Sequence, residues 1–551
     1  MNDALQKFRD AVDSLSGGKC FLLLTVFTLA VFFIGLGSRH LKGGDEPRVA
    51  GTAAETAMFG NWVEPRLNGK PFLEKPPLYF WADALSIKTF GRNEFAAKLP
   101  SAFAAFFGVL ALFALVRAMK FSKLSALLSG IMLATSAQYW EAGRKCLVDI
   151  FLAAFILFAM WAFFELCRAK KPKPRAGWYL LFVLTLGGAV FSKGLVGLAL
   201  PASALFFWLL IDDFYINRKL RLSRWIWLFS GSALCFIPVG IWVWALYENF
   251  GYDAVYTVVW TNNFGRFTGS HAEHIAPFYY YFKKLGEQFQ PWTFLLPFAL
   301  FLHFRCVVKE KDQRSLFMLC WLFVPYLLLT LSAGKRQVYV LPLYAAEAMM
   351  TGTLAAMLLE GKIKLPQKIN WSLILVILCS ILCAGLFIAP IVFIIFAIYF
   401  KLSVVAYLAP VATMLAGGFV LAGLLRKKAG LTALALLAGL AAIFVSVDMT
   451  VMTAFNYKHS YHPLFDYCQA EIDGGANLTL YRPIERISGG ALFYLGSRFE
   501  HYNPDKVLPG SGKNNKTLVL VDENNVGILK KAGLVPVKKF KIKRTKYWIL
   551  K

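Results

Sequence analysis

Charge is scarce in this chain. Only 17% of its 551 residues are Asp, Glu, Lys or Arg, while 58% are hydrophobic and 16% aromatic. An ordinary soluble domain carries about 25% charge, so a soluble globular chain is excluded. Acidic residues are the scarcer sign, 32 against 59 basic, giving a formal charge of +27. In a soluble protein that surplus would suggest nucleic acid; here the basic residues sit in loops between apolar runs, which points to membrane lipids instead. Paired cysteine spacing is also lacking. The nine cysteines (20, 146, 167, 235, 306, 320, 379, 383 and 468) fall mostly inside apolar stretches without histidine companions, excluding a disulfide framework and a zinc finger. There is no GxGxxG, no P-loop and no Asp-x-Asp in the basic loops, so no soluble nucleotide cofactor is expected. No internal repeat is visible.

Long apolar runs are what the chain has. A spanning helix needs about 20 mostly apolar residues. Thirteen stretches qualify, at 20–38, 95–117, 122–138, 146–167, 177–191, 194–211, 225–246, 291–308, 314–332, 337–359, 371–389, 403–425 and 430–452. The apolar piece 391–400 is an extension of its neighbour, a re-entrant segment or half of a span. Alternate connections carry the cations: Arg168, Lys170, Lys171, Lys173 and Arg175 in one, Arg218, Lys219, Arg221 and Arg224 in another, Lys362, Lys364 and Lys368 in a third. Because Lys and Arg gather on the cytoplasmic side of short loops, the N-terminus is expected inside and the C-terminus outside. The first apolar segment lacks a small-residue cleavage site and is read as a retained helix.

The outer segments are then few and unequal: 39–94, 139–145, 192–193, 247–290, 333–336 and the tail from 453. The tail reads as a small soluble α/β module, with strand-like runs at 477–481, 517–522 and 535–550 and a helix near 464–472. The expected organisation is a membrane domain over 1–455, with functional outer loops 39–94 and 247–290, followed by an outer domain over 456–551.

Two acidic-basic motifs stand in the first outer loop. Gly43-Gly44-Asp45-Glu46-Pro47-Arg48 follows the first span directly, and Glu74-Lys75-Pro76-Pro77 precedes the next apolar helix. Adjacent carboxylates at a membrane edge are costly, although acids also cap helix starts, and Pro47 marks one. Lys75, Arg48, Arg144, Lys193, Arg266, Lys335 and Arg336 all fall at outer ends of spans, the side where cations should be depleted. Each alone reads more readily as an interfacial snorkeller. As a set they are candidates to hold the oxygens of a phosphate ester at the interface. Asp149, one turn into a span, is expected to pair with Arg144 or Lys145 or to face a cavity. His271 and His274 flank Glu273 in the second large outer loop. Imidazole with carboxylate suits a divalent metal, here Glu74 with His274, and a solvated histidine pair is the competing reading; no other cofactor is expected. Asp212-Asp213 lies at the opposite end and marks a helix end.

The order of these motifs resembles a known family. Asp45-Glu46-Pro47-Arg48, then Glu74-Lys75-Pro76-Pro77, Arg144-Lys145-Cys146-Leu147-Val148-Asp149, Ser192-Lys193-Gly194, Arg266-Phe267-Thr268-Gly269 and Gly334-Lys335-Arg336-Gln337-Val338-Tyr339 together are similar to bacterial lipid A aminoarabinose transferases. Those enzymes fall within the polyprenyl-phosphate-dependent, protein O-mannosyltransferase-like glycosyltransferases of the GT-C fold. The resemblance implies a mainly α polytopic bundle of about 13 helices in the bacterial inner membrane, with a small periplasmic α/β domain. It implies inverting transfer of a sugar from a polyprenyl-phosphate donor, most readily aminoarabinose to a lipid A phosphate. Asp45 is then the principal catalytic carboxylate, joined by Asp149. Glu46, Arg48, Glu74, Lys75, Arg144, Lys193, Arg266, Lys335, Arg336 and Tyr339 would contact substrate.

Other readings stay open on sequence alone. A polyprenyl-linked hexose could pass to protein Ser/Thr or to an envelope glycan, in which case Asp45 would serve as general base. A lipid-linked sugar transporter would show inverted repeats and charged or broken helices at mid-depth, and neither stands out.

Overall fold

The computed structural model describes residues 16–265, 275–363, 371–426, 428–502 and 517–551. Ten of its helices are long and apolar enough to cross a membrane: Glu94–Ala118, Val148–Arg168, Pro172–Lys193, Val196–Ile216, Leu222–Phe250, Trp292–Glu310, Gln313–Leu331, Gln337–Leu359, Val405–Gly423 and Gly430–Asn456. Three shorter apolar helices, Gly17–Phe33, Lys123–Thr135 and Ala384–Tyr399, fall on the remaining expected spans. The chain is a multi-pass membrane protein. The last of the three is the end of one helix, Trp371–Tyr399, of 29 residues. The apolar piece 391–400 is thus an extension of its neighbour, continuing through Pro390 rather than forming a separate element.

The segment 39–94 is folded, and its sequence says why. Asp45–Phe59 is an alanine-rich helix whose first turn holds Asp45 and Glu46, where negative charge meets the positive end of the helix dipole. Pro47 is tolerated there because first-turn amides need no intrahelical partner. Gly60, at φ 76°, closes the helix in the left-handed conformation. A short hairpin then pairs Arg66–Leu67 with Lys70–Pro71 around Asn68 (φ 53°) and Gly69 (φ 79°), the Asn-Gly turn that two-residue hairpins favour. Pro76 and Pro77 keep Lys75 out of the following helix, Leu78–Phe90.

The C-terminal α/β unit holds a four-stranded sheet. Asn477–Leu480 pairs parallel with Thr517–Asp522, which pairs antiparallel with Thr545–Leu550, and Pro536–Ile542 lies antiparallel at the far edge. The run 535–550 is therefore two strands, reversed where Lys543 takes a positive φ of 55°. One of its helices, Glu485–Leu495, lies directly on Asp45–Phe59. Gly51 and Gly489 face each other so closely that a Cβ on either would collide with the other helix's backbone. Val49, Ala50, Ala53, Ala54, Leu492 and Phe493 share one buried cluster across this contact. The hairpin makes a second junction, with the Asn68 side-chain amide donating to the Phe499 carbonyl at 2.9 Å.

The seven described cysteines are free thiols. Asp212 and Asp213 close the far end of Val196–Ile211: Arg224 donates to Asp212 at 2.7 Å and to Asp213 at 3.2 Å, and the Trp225 indole donates to Asp213 at 3.0 Å.

Candidate active site

Asp45 is the hub of an ion-pair cluster. Its Oδ1 accepts from Arg48 Nη2 at 2.6 Å, one helical turn on, and its Oδ2 accepts from Arg336 at the mouth of Gln337–Leu359. Arg48 also reaches Glu74 at 3.5 Å and Glu485 of the C-terminal unit at 2.8 Å. Its guanidinium lies over the Phe72 ring, 5.9 Å from the centroid. Beside this group, Lys193 pairs with Asp149 and sits 4.1 Å above the Tyr339 ring.

Lys75 lies between the two halves, within the field of Asp149, Asp45, Lys193 and Arg48. Among the described residues its ammonium carries no salt bridge or hydrogen bond. Burial pulls the Lys75 ammonium below its usual range, against Asp149 and Asp45, which favour its charge. Burial pushes the Asp45 carboxyl up, but Arg336, Lys75 and Arg48 outweigh that effect and hold it well below the usual carboxylate range. The result is a carboxylate locked in its ionised form next to a half-buried cation with free donors. A cavity of about 450 Å³ opens beside them, lined by Ile275, Ala276, Tyr280, Lys335, Arg336, Gln337 and Val338.

The structure thus gathers Asp45, Arg48, Glu74, Lys75, Asp149, Lys193, Arg336 and Tyr339 into one cluster. Lys335 lines the adjoining cavity with its ammonium turned to the Ser332 carbonyl at 2.5 Å. Two of the expected substrate contacts lie elsewhere. Glu46 is buried and accepts backbone amides from Lys42 at 3.1 Å and Cys146 at 3.2 Å, so it braces the loop. Arg144 is buried on Asp448 at 2.7 Å and on the carbonyls of Val31 and Ile34, each at 2.7 Å. A carboxylate from the last span therefore takes the place that a phosphate or Asp149 was expected to fill. Asp149 pairs instead with Lys193, and Lys145 pairs with Glu141 at 2.5 Å. Arg266, His271 and His274 lie outside the described residues, and with them the Glu74 and His274 metal pair. Glu485 was not anticipated; it stands in the tail, 437 residues from the arginine it meets.

Among proteins of known sequence, residues 74–242 match the family model for dolichyl-phosphate-mannose-protein mannosyltransferase. The chain is 30% identical over 329 residues to an undecaprenyl phosphate-α-4-amino-4-deoxy-L-arabinose arabinosyl transferase of Erwinia tasmaniensis, covering 60% of this chain and 58% of that relative. It is 28% identical to the protein of the same name in Serratia proteamaculans, covering 61% and 59%. The matches thus span less than two thirds of these relatives' length. In three dimensions the chain superposes on ArnT from Cupriavidus metallidurans bound to undecaprenyl phosphate with a TM-score of 0.69, at 18% identity, covering 96% of this chain and 97% of that one. Over these stretches the chain is similar in sequence to proteins named undecaprenyl phosphate-α-4-amino-4-deoxy-L-arabinose arabinosyl transferase, and over nearly its whole length it shares the fold of ArnT.

Proposed function

We propose that this protein is an inverting glycosyltransferase of the inner membrane. In this reading it moves aminoarabinose from a polyprenyl-phosphate donor to a phosphate of lipid A at the periplasmic face. The names of its relatives favour that donor and sugar. The observation that carries the choice of acceptor is that both carboxylate oxygens of Asp45 are taken by arginines, Oδ1 by Arg48 at 2.6 Å and Oδ2 by Arg336, which with Lys75 overcome burial and hold the carboxyl well below the usual range. So weak a base is poorly matched to removing a proton from a sugar or Ser/Thr hydroxyl near neutral pH. A phosphate acceptor is already ionised and needs no base. Its oxygen attacks the anomeric carbon while the bond from that carbon to the donor phosphate breaks, and the leaving polyprenyl phosphate keeps the electron pair.

In this reading Lys75 takes the phosphate oxygens, because a partly desolvated ammonium with unspent donors binds an anion strongly. Asp45 orients the sugar and offsets the positive charge that develops at its anomeric carbon. An apolar groove of about 460 Å³ between Leu78–Phe90, Glu94–Ala118 and Val148–Arg168, walled by Phe90, Phe103, Phe107, Phe151, Phe155 and Phe158, suits an isoprenoid tail. Residues 1–455 would form the transferase unit and 456–551 a periplasmic unit that steadies the Asp45 helix through Glu485.

The test is mass spectrometry of lipid A and of the polyprenyl-phosphate pool, from cells with and without the gene and from cells carrying Asp45→Asn. We expect a pentose-amine mass on lipid A that disappears in both deficient strains. Unchanged lipid A, with a polyprenyl-linked sugar accumulating, would move the acceptor to a protein or glycan. No change in either pool would sink the transferase reading.

A further inference from the structure

Three side chains from distant parts of the chain meet outside the Asp45 cluster. His40 follows the first helix, Glu94 opens Glu94–Ala118, and His462 opens the first helix of the C-terminal unit, His462–Asp473. One ligand atom from each lies within 4.8 Å of the others. His40 Nδ1 is 2.8 Å from Glu94 Oε1, and the rings of His40 and His462 face each other with centroids 3.9 Å apart and planes 38° from parallel.

We propose that His40, Glu94 and His462 hold a divalent transition metal ion, zinc by the chemistry of the set. Two imidazoles and one carboxylate are a familiar zinc donor set, with water completing the tetrahedron. The outer shell is that of a metal site as well. Asp466 stands one turn on from His462 with a carboxylate oxygen 2.5 Å from its Nδ1, a negative charge beside the ring. The Tyr494 hydroxyl donates to the same Glu94 oxygen at 3.3 Å. Asn456 grips the backbone of His40 from both sides, accepting from its amide at 2.9 Å and donating to its carbonyl at 2.8 Å, so the backbone that carries the ring is held in place. The side chains are 27%, 16% and 29% exposed, open enough for a hydrated ion to enter.

The location gives the ion its role. It would pin the C-terminal unit to the stretch just before Asp45 and to the first long span, fixing three segments that no covalent crosslink joins. This site is separate from the Glu74 and His274 pair suggested by the sequence, and the test must distinguish them.

The full-length protein, purified in detergent and stripped with a chelator, is titrated with Zn²⁺ alone and, in a second series, with Co²⁺ alone. We expect His40→Gln and His462→Gln each to bind one zinc ion fewer than the parent and to lose the visible Co²⁺ absorption of a nitrogen-liganded site. Glu74→Gln should keep that ion. Asp466→Asn preserves all three ligands and should weaken zinc affinity roughly 10–100-fold, a guard against variants that simply misfold. Parent stoichiometry in the folded histidine variants overturns the proposal. So does loss of the ion in Glu74→Gln alone, or an unchanged affinity in Asp466→Asn.

Discussion

Asp45 and Lys75 stand within one electrostatic field yet are treated differently by it. Asp45 is braced by Arg48 and Arg336, whereas the Lys75 ammonium has donors to spare. Their pH behaviour follows with opposite signs. Asp45 is ionised through the whole ordinary carboxylate range. Its pairing therefore contributes stability above its unfolded pKa, which is lost only as pH falls through the lower folded value. Lys75 loses its charge below the usual lysine range, because burial outweighs Asp149 and Asp45. We expect steady-state transfer to show no acid limb from Asp45 near neutral pH, and donor affinity to weaken on the alkaline side before an ordinary lysine would titrate. Lys75→Ala should raise the donor KM by roughly 10–100-fold, equivalent to about 1.5–3 kcal/mol for hydrogen bonds to a charged group. An unchanged donor KM would remove Lys75 from the phosphate site.

Arg144 makes the contrasting case at the same scale. Both it and Asp448 are buried, and Asp448 is shared with Arg39 at 2.9 Å, so removing Arg144 leaves Asp448 with one arginine and the Val31 and Ile34 carbonyls without their Arg144 donor, at a cost of about 1–3 kcal/mol. Arg144→Ala should therefore lower the melting temperature sharply while the folded fraction binds donor as the parent does. A normal melt with weakened donor binding would return Arg144 to the substrate.

At the scale of elements, the Asp45 helix is positioned from outside the membrane bundle. Its contact with Glu485–Leu495 depends on Gly51 and Gly489, where neither backbone leaves room for a side chain. Gly51→Val should push the two helices apart, loosening the bond from Arg48 to Glu485 and shifting Asp45 with its turn. Misplacement of a reacting group by about 1 Å can cost on the order of 100-fold in rate. We expect kcat to fall in assays of purified protein while donor KM changes little. Equal activity would make the tail a bystander. This contact also marks where sequence reading stops. Asp45-Glu46-Pro47-Arg48 and Glu74-Lys75-Pro76-Pro77 were legible because each motif is contiguous and its charges are out of place next to an apolar run. Glu485 and His462 carry no such local signal, and Asp448, a lone carboxylate inside the apolar run 430–452, gives no hint of its partner. Asp448 meets Arg144 across 304 residues and Glu485 meets Arg48 across 437, and neither separation leaves a trace in spacing or periodicity.

For the whole molecule, hydropathy located the apolar helices, ten of spanning length and three shorter among the described residues, because hydrocarbon thickness sets a length that composition must approach. It missed the π-type and 3₁₀ ends that extend Val196–Ile216 and begin Gln337–Leu359, since those depend on local hydrogen bonding rather than on apolar content. Orientation rests on a separate physical argument, the gathering of cations in alternate connections such as 168–175 and 218–224. That argument has a direct measurement. Lys171 lies in one of the cationic connections and Lys531 in the C-terminal unit, and both side chains are exposed. With Lys171→Cys and Lys531→Cys in otherwise unchanged protein, a membrane-impermeant maleimide applied to intact spheroplasts should label the Lys531→Cys protein above the parent level. The Lys171→Cys protein should gain label only after permeabilisation. The reverse pattern would put the Asp45 cluster on the cytoplasmic side, out of reach of a periplasmic acceptor, because Asp45–Phe59 and the C-terminal unit are packed together on one face.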